Sequence, residues 1–267
     1  MSLIPPLLLV GGGRMGSALL AGWREQGLAS AVVVDPAPRA AELGCAGIHV
    51  VADFGEIPAA FEPGAVILAV KPQSAAAALP PCGRFAGALF VSIMAGKTIA
   101  AISALLGGQP AIVRAMPNTP AAIRQGFTVA VAGFGVSTSQ RQLADDLLTA
   151  VGEVAWVEDE ALLDPVTAIS GGGPAYLFLL TELMEQAALD EGIPPDLARA
   201  MARRTVIGAA GLLAAGDEDA AALRAAVTSP NGTTAAALAV LRGEHAWPEL
   251  FQKAVAAATK RSRALSA

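Results

Sequence analysis

Cysteine, histidine, lysine and charge are all scarce in this chain of 267 residues. It has two cysteines, two histidines and four lysines, and charged residues make up 15% of it. Each shortage removes a class of function. Cys45 and Cys82 have neither zinc nor redox spacing, so both read as core or near-surface thiols in a reducing cytoplasm. His49 and His245 are too few and too far apart in sequence for a histidine metal site, and structural roles suit them; no metal is expected. No basic run exceeds two residues and the net charge is −5, which argues against nucleic acid as a partner. Long apolar runs are missing as well. Hydrophobic residues make up 54%, yet the longest charge-free stretches, 165–181 and 225–241, are cut by "GGGP" and "SPNG". A spanning helix needs about 20 apolar residues, so no membrane span is expected. The start "MSLIPPLLLVGGG" has no basic segment and runs into glycines, so no signal peptide is expected either. The apolar excess, much of it alanine, points instead to a sheet buried on both faces or to an oligomer interface.

What is present begins with "LLLVGGG" at 7–13, an apolar run ending in glycines. "RMGSALLAGWREQG" follows with apolar residues at helical spacing, and then "AVVVD", a buried strand ending in an acid. Strand, glycine turn, helix and strand make one βαβ unit. Gly11, Gly13 and Gly16 form G-x-G-x-x-G: a tight turn, an approach for a pyrophosphate, and close helix–strand packing. The helix start offers free N–H groups to the anion. Asp35 sits where a carboxylate accepts from the ribose 2′-OH of NAD and repels the 2′-phosphate of NADP. The "PAPR" after it offers Arg39 as a phosphate partner.

Further strands are expected in 64–72, stopping at Lys71-Pro72, in 88–96, in 111–120, breaking at Pro117, and in 127–133 and 152–159. In an open parallel sheet, ligands bind at the carboxyl ends of strands. There stand "KPQ", "MAG" and "MPNTP", so these loops are expected to line the cofactor. After Asp164 five helical stretches follow, separated by Gly192 and Pro194, Gly216, "SPNG", and Gly243 with Pro248. The expected architecture is therefore an α/β N-terminal Rossmann domain, a mostly parallel doubly wound sheet at 1–160, followed by an all-α domain at 161–267. Several of its helices are too apolar for a surface, which predicts cover from a second subunit.

The stretch "TSPNGTT" at 228–234 puts four hydroxyls, a proline, an asparagine and a glycine between two alanine-rich helices. Hydroxyls at helix starts are usually caps. The residues alone leave capping and ligand binding open.

"VGGGRMGSALLAG" (10–22), "AVKPQ" (69–73), "VSIMAGKT" (91–98), "VRAMPNTPAAI" (113–123), "ISGGGPAYLF" (169–178) and "VTSPNGTTAAALAVL" (227–241) together resemble the pyrroline-5-carboxylate reductase family. The resemblance covers nearly the whole chain. It implies a Rossmann domain, a helical dimerisation domain and often rings of dimers, such as a decamer. The reaction it implies is hydride transfer from NADPH or NADH to the imine carbon of 1-pyrroline-5-carboxylate, giving L-proline. The family favours NADPH, whereas Asp35 favours NADH. This sequence departs from the usual pattern at Arg14, at Met94 and Lys97, and at "EHAWPEL" (244–250).

On this reading the cofactor contacts are Gly11, Gly13, Arg14, Met15, Gly16, Asp35, Arg39, Val70, Lys71, Pro72, Ala95, Met116, Pro117 and Asn118. The last three are set against the nicotinamide and its ribose. The substrate contacts are Ser170, Ser229, Gly232, Thr233 and Thr234. A helix starting at Gly232 or Thr233 has N–H groups without partners, which with the Ser229 hydroxyl make a carboxylate site lacking arginine. Thr234 is the catalytic candidate, its hydroxyl reaching the ring nitrogen to orient the imine or relay a proton. The pocket is expected in a cleft between the nucleotide domain and helices drawn from both subunits.

Two alternatives remain. β-Hydroxyacid dehydrogenases share the plan but use a lysine of the helical half, and this chain has none between 98 and 252. A protonated imine is already electrophilic, so orientation matters more there than a strong acid. A non-catalytic nucleotide sensor would not need the hydroxyl loop.

Overall fold

The computed structural model describes residues 4–266. The chain divides into two compact units. The first holds the residues up to Gly171 together with those from Ala258 on; the second is Gly172–Ala257. The boundary expected from the sequence fell at 160/161. Residues 161–171 stay with the first unit, where Leu163 is buried in a cluster with Val129 and Val131.

The first unit is built on an eight-stranded sheet: β1 (Leu7–Val10), β2 (Ala31–Val34), β3 (Ile48–Val51), β4 (Ala65–Leu68), β5 (Leu89–Ser92), β6 (Ile112–Met116), β7 (Gly126–Ala132) and β8 (Gly152–Trp156). The order is β3-β2-β1-β4-β5-β6-β7-β8, parallel throughout except between β6 and β7. This is the doubly wound class expected. β1 shows why the sheet is buried on both faces: Leu7 and Leu9 enter one core cluster with Leu19, Trp23 and Val33, while Leu8 and Val10 enter another with Val66, Leu68 and Phe90. Side chains alternate along a strand, so a run of apolar residues serves two faces.

Helices α1 (Arg14–Glu25), α2 (Ile99–Leu106) and α3 (Thr138–Thr149) belong to this unit. The indole N–H of Trp23 on α1 donates to the Leu147 carbonyl on α3 at 2.7 Å. Sequence reading missed β3, a four-residue strand whose His49 faces solvent. It also passed over α2 and α3. The second had a legible signature: Ser137 caps the Gln140 N–H, and the Gln140 side chain accepts from the Ser137 N–H.

The second unit holds α4 (Gly173–Asp190), α5 (Pro195–Ala214), α6 (Ala220–Ala226), α7 (Thr233–Leu241) and the first part of α8 (Trp247–Ser266). All five were expected. Among the described residues only Ala198 and Ala202 of this unit are buried. Phe178, Ile207, Leu212, Val240 and Phe251 are each more than half exposed. No helix among the described residues is long and apolar enough to cross a membrane.

Both cysteines are unpaired, Cys45 exposed and Cys82 buried. Burial pushes the Cys82 thiol up to about 12, and the thiolate is the reactive form. Iodoacetamide at pH 8 should therefore modify Cys45 in the native protein and Cys82 only after denaturation, as read by mass spectrometry. Stability should also fall as pH rises above 9.0, where the unfolded thiol ionises and the buried one does not. Cys82→Ala should lose that part of the alkaline slope.

Candidate active site

The parallel strands bring their carboxyl ends to one edge in register. Val34, Val10, Leu68, Ser92 and Arg114 form a single row across β2, β1, β4, β5 and β6. The segments leaving that row carry Asp35, Gly11–Gly13, Val70–Pro72, Ala95 and Met116–Asn118, in that lateral order. Four inter-strand spacings of about 4.8 Å span roughly 19 Å, an edge suited to an elongated ligand. The strand order reverses between β1 and β4, where open α/β sheets form their binding crevice.

The glycine turn has the geometry such a ligand needs. Gly11 has φ +101°, and a Cβ there would lie 2.7 Å from the Ala69 carbonyl oxygen. A Cβ on Gly16 would lie 2.1 Å from the Gly11 oxygen. Gly13 is the N-cap of α1, no side chain caps it, and the space a side chain there would enter is open. The start of α1 is thus left for an anion. Met15 follows half-buried in the first turn.

Asp35 braces this turn. Its Oδ2 accepts from the Gly12 N–H at 2.7 Å and its Oδ1 from the Ala37 N–H at 2.8 Å. The carboxylate pins the glycine turn to the chain leaving β2. Each oxygen keeps a lone pair for another donor. Arg14 and Arg39 are exposed, and neither forms an ion pair among the described residues.

At the other end of the edge the structure joins two of the candidates. Asn118 Oδ1 accepts from the Phe127 N–H at 2.9 Å, and its Nδ2 donates to Ser170 Oγ at 3.2 Å. Ser170 lies on a π-helical turn, Thr167–Gly171. Such turns recur at functional sites, and the "SGGG" run did not reveal this one. Pro117 is buried, and the Met116 methyl fills the space beside Gly171. Lys71 is exposed; Val70, Pro72 and Ala95 are half-buried. Met94 is 2% exposed within the core, so that departure from the family pattern is a packing change.

The hydroxyl loop lies in the second unit. Helix α7 starts at Thr233 with Gly232 as N-cap, and no side chain caps it. Thr228 does not, because its Oγ1 donates back to the Arg224 carbonyl at 2.6 Å. Thr149, Thr167 and Thr181 bond the carbonyl four residues back in the same way. Thr234 stands in the first turn, where no helical carbonyl lies four residues back. Ser229, Thr233 and Thr234 are exposed. Asn231 has φ +59°, a left-handed conformation that asparagine tolerates better than most residues. Ser229, Gly232, Thr233 and Thr234 therefore gather around a helix start whose first N–H groups have no intrahelical acceptor.

Residues 160–265 match the family model described as pyrroline-5-carboxylate reductase dimerisation, and residues 7–96 match NADP oxidoreductase, coenzyme F420-dependent. The sequence is 39% identical to a pyrroline-5-carboxylate reductase of Pseudomonas aeruginosa, over 98% of this chain and 97% of that one. The chain belongs to the pyrroline-5-carboxylate reductase family. The solved structure of such a reductase from Coxiella burnetii covers 98% of both chains at 33% identity, with a TM-score of 0.88. That of Plasmodium falciparum pyrroline carboxylate reductase with NADP bound covers 98% of both at 25% identity, with a TM-score of 0.84.

Family resemblance did not flag a charge pair beneath this edge. Arg114 on β6 is 4% exposed, and its Nη1 lies 2.8 Å from Glu160 Oε1. The same carboxylate oxygen accepts from the Ile99 N–H, also at 2.8 Å. One acid thereby joins β6, the start of α2 and the segment leading to Ser170. Its signal in the sequence was an arginine inside an otherwise apolar strand, which demands a partner. Glu160→Ala leaves that guanidinium unpaired, so it should cost roughly 2–3 kcal/mol by denaturant unfolding. Glu160→Gln, which keeps an acceptor, should cost less.

Proposed function

We propose that this chain reduces 1-pyrroline-5-carboxylate to L-proline, the last step of proline biosynthesis, using a nicotinamide cofactor. The observation that carries this reading is the near full-length likeness to named reductases, together with an uncapped, hydroxyl-rich helix start in a half that has no lysine before Lys253. The cofactor supplies the hydride that reaches the imine carbon. The glycine turn fits its pyrophosphate, since α1 starts there uncapped and Gly13 leaves room. Asn118, held by Phe127 and Ser170, keeps one amide hydrogen for the ribose. In the second unit, the first N–H groups of α7 and the Ser229 hydroxyl bind the substrate carboxylate. The Thr234 hydroxyl bonds the ring nitrogen and turns the imine carbon toward the hydride. The exposed apolar faces of α4, α5 and α7 support a homodimer through the helical half. The resemblance adds a ring of dimers, such as a decamer. Two unpaired cysteines suit a cytoplasmic setting.

Both cofactors serve this chain, with NADH used unusually well. Asp35 favours a free 2′-OH, while exposed Arg14 and Arg39 can meet a 2′-phosphate. Oxidation followed at 340 nm in the presence of the imine should give a preference for NADPH below about a hundredfold in kcat/KM; a larger one would overturn the role given to Asp35. Thr234→Ala should lower kcat/KM for the imine by at least about tenfold, roughly 1.4 kcal/mol. Ser229→Ala should mainly raise the imine KM. Wild-type kinetics in Thr234→Ala would reduce that hydroxyl to a bystander.

A further inference from the structure

The end of α8 touches two places on the first unit that matter to the proposed site. Ser262 is 4% exposed, and its Oγ donates to Asp164 Oδ1 at 2.6 Å. Asp164 sits on the helical turn Leu163–Val166, which runs directly into the turn bearing Ser170. One turn further along α8, Leu265 meets the loop after β5. A Cβ added to Gly96 would lie 2.8 Å from the Leu265 Cβ and 3.3 Å from its carbonyl carbon. Gly96 is buried with φ +68°, so the loop turns sharply where the helix end presses on it. Ser262 and Leu265 are three residues apart, hence on one face of the helix. The residues from Ala258 on pack with the first unit, although α8 begins in the second.

We propose that this helix end is a buttress: Ser262 and Leu265 are positioning residues that hold the Ile93–Lys97 loop and the Asp164 turn in place for the cofactor. The inference rests on the reading that the loop after β5 lines the nicotinamide edge. The loop's other restraints lie at its ends. Met94 is sunk in the core, and Thr98 caps α2 through the Ala101 N–H. Gly96, midway along the chain path between them, has no side chain of its own to anchor it. Its cover is Leu265. The Ser262–Asp164 bond fixes where along the loop that leucine falls.

The test uses the full chain and four variants. Hydrogen exchange read by mass spectrometry on the peptide spanning 92–99 should quicken in Ser262→Ala and Asp164→Ala, and NADH should bind at least about threefold more weakly by fluorescence titration. Asp164→Asn retains an oxygen that accepts the serine hydroxyl, so both readouts should stay within about twofold of wild type. Gly96→Ala displaces Leu265 from the other side and should weaken NADH binding as much as Ser262→Ala. Substrate turnover enters neither readout, so a failure of the substrate assignment would leave this test standing. Unchanged exchange over 92–99 and unchanged NADH affinity in Ser262→Ala, with only a lowered Tm, would overturn the proposal and leave the contact purely structural.

Discussion

Helix α1 can start against β1 only because no side chain projects from Gly16 toward the Gly11 carbonyl, 2.1 Å from where a Cβ would sit. That approach sets the height of the helix start above the sheet edge. It also leaves the first N–H groups of α1 facing the crevice between β1 and β4. Asp35 reinforces it from β2 by holding the Gly12 N–H. A carboxylate singled out in the sequence for its place after β2 is thus a strut of the glycine turn. Replacing it would remove a charge and loosen the glycine turn together.

The far end of the edge repeats the pattern with different chemistry. Asn118, Ser170 and the Phe127 backbone form one hydrogen-bonded group, and Glu160 ties Arg114 to the start of α2. Each of these polar groups would cost free energy if buried alone. Paired, they draw the segment 160–171 onto β6 and β7, and so place the π turn beside Met116. Asn118 and Ser170 therefore stand on a hydrogen-bonded group that ties both to the backbone of β7.

The helical unit obeys a different constraint. A chain segment offsets its conformational entropy mainly by burying apolar surface. Here Ala198 and Ala202 are the only buried residues among those described, while leucines, phenylalanines and isoleucines of α4 and α5 lie open. Such a unit requires cover, which is consistent with the dimerisation family it matches. Its helices read clearly in the sequence because glycine and proline punctuate them, not because their faces are amphipathic.

The glycine spacing, the apolar runs and the acid at Asp35 were enough to name a Rossmann fold and to list the loops at its carboxyl edge. Those signals are local: turn chemistry and side-chain alternation act within a few residues. The hydroxyl loop was legible as an oddity, and the family resemblance gave it a role. The Ser170–Asn118 bond, the Arg114–Glu160 pair and the return of Ser262 and Leu265 to the first unit were not legible. Each joins residues tens of positions apart, Asp164 and Ser262 being 98 apart. A hydrogen bond depends on where two side chains meet in space, and only packing of the sheet and its covering segments decides that.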